Sequence, residues 1–561
     1  MAQFINSRET LVQEALDGLV AASGGRLQRL DGYPFIRVVL RADWDRSKVA
    51  VISGGGSGHE PAHAGFVGRG MLTAAICGDV FASPSVDAVL AGILAVTGEA
   101  GCVLIVKNYT GDRLNFGLAA ERARAFGKKV AMVIVQDDIA LPDLARPRGV
   151  AGTLLVHKIA GAVAEAGGDL DAVTQAARRA AAKAISIGMS LDTCTVPGSP
   201  KEDRVGPGDI ELGLGIHGEP GAQQIPYRGA TQAMADAVAR LLPLMTNGSH
   251  AALLNNLGSS TALEMSVLAD ALRQSAIGAK VSHIIGPSAM MTALDMHGFS
   301  LTLYPLGSED AAWLAAQTEV PDWPGFAPFA APRTMPLPDG LHPLRPVPSA
   351  NTRTAAVLAA CCATLIAAES DLNALDAKAG DGDTGTTLAV AARALLQRMD
   401  QLPLSDFTQL FRAIGQELSQ TMGGSSGVLL ALFCAAVGDA FSTGKGLTDA
   451  LLVGLARLQE VGGAQPGDRT MIDALHPALA ALPQGLNAAA QGARQGANLT
   501  ATMTKAQAGR AAYIAAVQLR GHIDPGAEAV ARLFEGLCHA QAASGQGAAQ
   551  QRQHQRKEFG L

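Results

Sequence analysis

The spacing of apolar residues changes once along this chain, and that change restricts the possible folds more than any other feature. Up to about residue 330, short β-branched runs alternate with helical patterns. VAVIS (49–53), CVLIVKN (102–108) and KVAMVIVQD (129–137) are strand-like, while LAAERARAFG (118–127) and AGTLLVHKIAGAVAEAG (151–167) have helical spacing. Such alternation predicts α/β architecture, with helices covering a sheet. A second set follows a Gly/Pro-rich break near 197–221: ALLNNLG (252–258), VSHIIG (281–286) and LTLYPLG (301–307). The expectation is two α/β lobes, 1–190 and 191–330. Residues 320–350 are crowded with proline, which predicts a semi-rigid linker, placed at 331–350. Beyond it, 351–543 is rich in alanine, leucine and glutamine, with apolar residues recurring at three and four and almost no strand signal. This predicts an all-α domain, followed by a disordered tail at 544–561.

At 561 residues the chain is too long for a single core. A net charge of −6 argues against a general nucleic-acid binder held by phosphate contacts. The cysteines number seven, an odd count with no Cys-x-x-Cys pair, which points to reduced thiols in a cytoplasmic protein. MAQFINSRET at the start has no apolar core of a secretory signal. The longest apolar run, AAVLAACCATLIAA (355–368), is too short to span a bilayer and predicts a buried helix, so no membrane is expected.

Two glycine-rich stretches imitate familiar catalytic motifs. His59-Glu60-Pro61-Ala62-His63 has the spacing of a zinc-protease helix, but GGGSG precedes it and Pro61 removes an amide from its middle. The same stretch lacks the lysine of a P-loop and the spacing of a dinucleotide loop. What remains is a strand entering a glycine loop that ends at His59, either a pocket for a small polar ligand or a tight turn with a packed histidine. GGSSG (423–427) fits a hydrolase elbow around Ser425, yet polar, helix-compatible ELSQTM precedes it and an apolar helix follows. A glycine-serine turn opening a helix suits a phosphate better, with a plain helix cap as the alternative.

LDAKAGDGDTGTT (375–387) is the strongest signal in the second half. Asp376, Asp381 and Asp383 place three carboxylates within eight residues. Counting an EF-hand from Asp381 puts Ala392 where the closing glutamate belongs. The set suits Mg²⁺ completed by water and phosphate oxygens, against the alternative of a surface turn. GDRTMIDAL (467–475), AGRAAY (508–513) and GHIDPGA (521–527) are further polar islands, and Arg510 is either a phosphate contact or a lone arginine on a helix surface. In the first half, VKNYTGDRLNFG (106–117) follows a strand end, where α/β proteins bind ligands, and offers Lys107 and Asp112. GLGIHGEPG (213–221) presents His217 in a glycine-proline turn, as a structural residue or as a nucleophile toward a carbonyl.

Together these motifs resemble the dihydroxyacetone (glycerone) kinase family. GGGSGHEPAHAGFVG, CGDVFASPS, VKNYTGDRLNFG, AGTLLVHKIAG, GLGIHGEPG and LDMHGFSLTL are similar to its substrate-binding component. LNALDAKAGDGDTGTT, MGGSSG, RTMIDAL, AGRAAY and HIDPGA are similar to its nucleotide-binding component. Both lie in one chain, as in the ATP-dependent branch. The resemblance implies that His217 holds the ketose covalently as a hemiaminal, and that His59 and Asp112 bind and activate the terminal hydroxyl, Asp112 as general base. It implies that Gly56, Ser83 and Lys107 hydrogen-bond the substrate. Asp376, Asp381 and Asp383 would hold two Mg²⁺ ions with ATP. Gly424, Ser425, Ser426, Thr470, Met471, Arg510, Asp524 and Gly526 would line the nucleotide site of an all-helical barrel. A cytoplasmic homodimer active in glycerol metabolism is implied too. Thr384 departs from the histidine that many separate nucleotide subunits carry there, so no role passes to it.

Dihydroxyacetone, and with it glyceraldehyde, is the expected acceptor. A larger ketose such as erythrulose would form the same adduct. Other readings are a phosphocarrier-dependent enzyme with permanently bound ADP, an FAD-AMP lyase forming cyclic FMN, and a non-catalytic regulator. Fusion of the halves without a carrier domain favours free ATP, and intact Asp and His motifs disfavour the regulator.

Overall fold

The computed structural model describes residues 3–142, 146–338, 346–378, 380–506, 512 and 519–558. They form two compact units, Met1–Thr334 and Met335–Leu561.

The first unit holds two sheets. Strands β1 (Leu27–Arg29), β2 (Val38–Arg41), β3 (Ala50–Ser57), β4 (Ala74–Val80), β5 (Cys102–Lys107) and β6 (Val130–Val135) form one sheet in the order β1-β2-β4-β3-β5-β6. Its β4, β3, β5 and β6 are parallel. Both faces of this parallel core are covered, so its strands are apolar without alternation. Val51, Val103 and Ile105 face a core shared with helices Leu11–Ala22, Thr153–Glu165 and Leu170–Lys183, whereas Ile52, Leu104 and Val106 face helices Val86–Val96 and Thr110–Ala125.

The second sheet contains β7 (Ile185–Ser190), β8 (Asp209–Leu212), β9 (Gln223–Pro226), β10 (His250–Asn256), β11 (Val281–Ala289), β12 (Gly298–Pro305) and β13 (Ala327–Pro328), ordered β13-β11-β10-β12-β7-β8-β9. Only β10 and β11 run parallel among its pairs. The change of sheet therefore precedes 185 rather than falling at 190. Leu253, Ile285 and Tyr304 of the second sheet join the core of the first, so the halves share apolar packing rather than folding as separate lobes.

Close strand approach depends on Gly54. Its register partner on β4 is Ile76, and a Cβ at 54 would lie 2.2 Å from the Ile76 carbonyl oxygen. Gly54→Ala is expected to force β3 from β4 and cost about 2–3 kcal/mol. All three tryptophans (44, 313 and 323) lie in the first unit, so urea unfolding followed by tryptophan fluorescence reads the loss directly.

The described part of the second unit is helical. Thr352–Ala367, Glu369–Asp376, Thr384–Gln397, Phe407–Thr421, Gly424–Ser442, Leu447–Gly462, Ile472–Ala481, Leu486–Thr500 and Pro525–Glu558 follow in order, joined mostly by short connections. Sequential neighbours pack together, and Pro525–Glu558 also packs on Thr352–Ala367. Two expectations change here. Thr352–Ala367 buries only Cys362 fully, so the helix expected to be buried is largely half-exposed. The segment from 544, expected to be disordered, continues as helix to Glu558; its alanine, glutamine and arginine are strong helix formers. Gly424–Ser442 is long and apolar enough by composition to cross a bilayer, yet it packs against both sequential neighbours, and its Asp439 pairs with Arg412.

Candidate functional site

Parallel strands aim their carboxyl ends at one edge, and the chemistry-bearing residues of the first unit gather there. His59 follows β3, Lys107 ends β5, Ser83 follows β4, and Asp112 lies in the first turn of helix Thr110–Ala125. Gly55 (φ 151°) lets two of these approach the loop, since a Cβ there would stand 2.7 Å from Lys107 Nζ and 3.5 Å from an Asp112 carboxylate oxygen. Gly56 packs equally closely on Phe81 and Ala82. Ser83 Oγ is buried with no hydrogen-bond partner among the described residues and lies against Gly111.

His59 is wholly buried, and its Nδ1 lies 2.8 Å from the Thr292 carbonyl oxygen. A carbonyl only accepts, so Nδ1 carries the proton and Nε2 the lone pair. Nε2 has no partner among the described residues. Burial, then the charges of Lys107 and His217, hold this histidine's pKa well below its usual range. His59 is thus a neutral ring with an acceptor to offer. Lys107 is also wholly buried; burial lowers its pKa, with Asp112 pulling the other way.

His217 arrives from the β8–β9 connection of the second sheet. Its ring centroid lies 4.8 Å from that of His59, 5.3 Å from Phe81 and 4.4 Å from Tyr109, each contact edge-on. The backbone amide of His217 donates to Glu219 Oε2 at 2.9 Å, and Nδ1 donates to Glu219 Oε1 at 3.2 Å. In the neutral ring this places the lone pair on Nε2, the form a nucleophile needs. Burial would raise the Glu219 pKa, but the hydrogen bonds and charge of His217 outweigh it and bring it to about 2.

Stability from the pair is complete above the ordinary carboxylate range and is lost as pH falls from about 4.5 toward 2. Glu219→Gln is expected to cost about 1.5–3 kcal/mol near pH 6, with the deficit shrinking in urea titrations at pH 4 and pH 3.

In the second unit, Asp376 closes helix Glu369–Asp376 and Asp383 precedes helix Thr384–Gln397. Asp376 Oδ2 accepts from the backbone amides of Asp383 and Thr384 at 3.0 and 3.2 Å, which folds the loop back on itself. One carboxylate oxygen from each of Asp376, Asp381 and Asp383 lies within 4.8 Å of the others. All-oxygen donors at that separation fit a hard divalent cation.

Gly424 (φ 72°), Ser425 and Ser426 open helix Gly424–Ser442, with Gly424 and Ser425 exposed. Met471 and Asp524 both lie against Gly526, and Thr470 N donates to Asp473 Oδ2 at 2.8 Å. Among the described residues the nucleotide-site candidates fall at the junctions 376–384, 421–424 and 462–472 and at Asp524 and Gly526, where the Asp524 amide donates to Thr500 Oγ1 at 2.9 Å. Arg510 lies outside the described residues.

Sequence reasoning did not single out Glu219, Tyr109, Phe81, Thr292 or Arg469. Glu219 was within reach, two positions from His217 in a turn. Arg469 is wholly buried and donates to the His522 carbonyl oxygen at 2.9 Å, tying two nucleotide-site motifs together.

The Dak1 domain family matches residues 17–322 and the DAK2 domain family residues 378–539. Dihydroxyacetone kinase of Citrobacter freundii is 49% identical over 549 residues, covering 96% of this chain and 99% of that protein. Human triokinase/FMN cyclase is 41% identical, covering 95% of this chain and 98% of its own. The crystal structure of the C. freundii dihydroxyacetone kinase in complex with AMP-PNP and Mg²⁺ superposes with a TM-score of 0.65 at 48% identity, covering 96% of this chain and 99% of that one.

Proposed function

This chain belongs to the dihydroxyacetone kinase family, and from that premise we propose a specific division of labour among its residues. The protein is a kinase that phosphorylates dihydroxyacetone with ATP. His217 captures the ketose. The Nε2–C2 bond forms as the carbonyl π bond breaks; the oxygen gains a proton, and the Nδ1 proton leaves through Glu219. The terminal hydroxyl first donates to the lone pair of His59 Nε2, which orients it; Asp112 then takes that proton as the hydroxyl oxygen bonds to the γ-phosphorus and ADP leaves. Lys107, Ser83 and the Gly56 amide hold the remaining oxygens. Glycerol has no carbonyl and gains none of this binding.

The observation that carries the reading is the Nδ1 contact of His217 with Glu219, which in the neutral ring puts the lone pair on Nε2, in a ring boxed by His59, Phe81 and Tyr109. Dihydroxyacetone labelled with ¹³C at C2 tests it. With the protein present, the bound signal is expected to leave the ketone region for that of a carbon bearing N and O. A bound ketone signal, or an adduct unchanged in His217→Ala, would overturn the capture step.

The second unit receives ATP. Asp376, Asp381 and Asp383 hold Mg²⁺, as two ions, and the amides of Gly424, Ser425 and Ser426 receive phosphate oxygens. Thr470, Met471, Arg510, Asp524 and Gly526 take the rest of the nucleotide. Bound there, the metal neutralises phosphate charge. The neighbour order of the helices supports a closed helical barrel. Glyceraldehyde follows as a second acceptor, and erythrulose as a third if the pocket admits a fourth carbon. We also place the chain in the cytoplasm as a homodimer acting in glycerol metabolism, for which its free cysteines suit a reducing compartment.

Similarity to triokinase/FMN cyclase supports a second activity, cleavage of FAD to cyclic FMN in the nucleotide domain. Incubation with FAD and Mn²⁺ tests it by the appearance of AMP and cyclic FMN.

A further inference from the structure

His63, the second histidine of the set-aside zinc-like motif, has no part in the mechanism above. It is only 4% exposed, and its Nε2 lies 2.7 Å from Lys107 Nζ. An ammonium only donates, so Nε2 accepts and Nδ1 carries the proton. That Nδ1 meets no partner among the described residues, nor does either nitrogen of His157. The His157 ring, wholly buried on helix Thr153–Glu165, stands edge-on to His63 with centroids 5.3 Å apart. Three buried basic side chains thus stand in sequence, Lys107 on His63 and His63 on His157.

We propose that His63 is a positioning residue for substrate binding: by accepting one N–H of Lys107, it directs the others toward Asp112 and the ketose oxygen. This rests on the reading of Lys107 as a substrate ligand. The choice of imidazole has a reason. The groups facing Lys107 are Asp112 from helix Thr110–Ala125, Glu60 and His59 from the glycine loop, Cys77 from β4, and His63 and His157. A neutral acceptor leaves the Lys107–Asp112 pair without excess charge, as an uncharged ketose requires. A carboxylate at 63 would add a negative charge and compete with the substrate for the ammonium.

His63→Leu and His63→Gln in the full chain separate positioning from packing. Leucine removes the acceptor from a buried charge, and the KM for dihydroxyacetone is expected to rise about 10- to 100-fold, with kcat less affected. The KM for MgATP stays at its parent value. The alkaline limb of kcat/KM moves to lower pH, because the charged form of Lys107 loses a partner. Glutamine, whose carboxamide oxygen accepts, restores most of both. NMR titration of ¹³C-labelled lysine follows Lys107 without turnover, and its pKa is expected to be lower in His63→Leu than in the parent. Parent-like KM and Lys107 titration in His63→Leu would overturn the proposal, as would glutamine no better than leucine. A parent inactive on dihydroxyacetone, with Lys107 still shifted by His63→Leu, would support the coupling and overturn the substrate assignment instead.

Discussion

Asp112→Asn is expected to lower kcat for dihydroxyacetone by about 10²- to 10⁴-fold, with KM moving far less. Asparagine keeps the size and the hydrogen-bonding oxygen of the side chain but cannot take the hydroxyl proton. The carboxylate is 4% exposed and shares the open side of Gly55 with Lys107, so little water can substitute for it. The same change removes the negative charge that supports the Lys107 ammonium, and the alkaline limb of the pH profile should shift to lower pH. Steady-state kinetics across pH 6–10 check both parts. A variant with kcat near the parent's would mean that another group, such as the unpartnered Nε2 of His59, removes the proton.

Asp383→Ala is expected to cost about 10³-fold in kcat, several kcal/mol of charge stabilisation at the phosphates. The fold should survive it. The loop is held through the backbone amides of Asp383 and Thr384 on Asp376 Oδ2, and alanine retains its amide. Calorimetry should therefore show Mg²⁺ no longer strengthening ATP binding, while dihydroxyacetone still binds the first unit. Removal of metal from the parent with EDTA should reproduce the loss and be reversed by Mg²⁺. A variant that keeps metal-dependent turnover would shift the cation site away from this loop.

Local chemistry was easier to read from the sequence than long-range packing. His59, Lys107 and Asp112 stood out because strand ends in a parallel sheet mark a binding edge, and the fold brings them together with His217. The tautomers that give those histidines meaning were not legible. The partner of His59 is a carbonyl 233 positions away, and no local pattern announces such a contact. Glu219 was legible but overlooked, since a carboxylate two residues from a histidine in a turn is a natural partner. The sheet change was placed late because ISIGMS (185–190) contains a glycine and two serines and reads as a weak strand. It is held by β12 and β8 on its two edges. The apolar run at 355–368 predicted its helix correctly but not its exposure, because burial depends on how many neighbours surround a helix. Composition likewise mistook the polar C-terminal helix for disorder, since a helix rich in alanine and glutamine needs no apolar face to form.

The most direct test of carbonyl capture followed by phosphoryl transfer is ADP release from MgATP in a coupled assay with dihydroxyacetone, glyceraldehyde, erythrulose and glycerol. Rapid turnover with dihydroxyacetone and none with glycerol is the expected result. Equal turnover with glycerol would contradict capture at His217, and no turnover with any carbonyl compound would contradict the kinase itself.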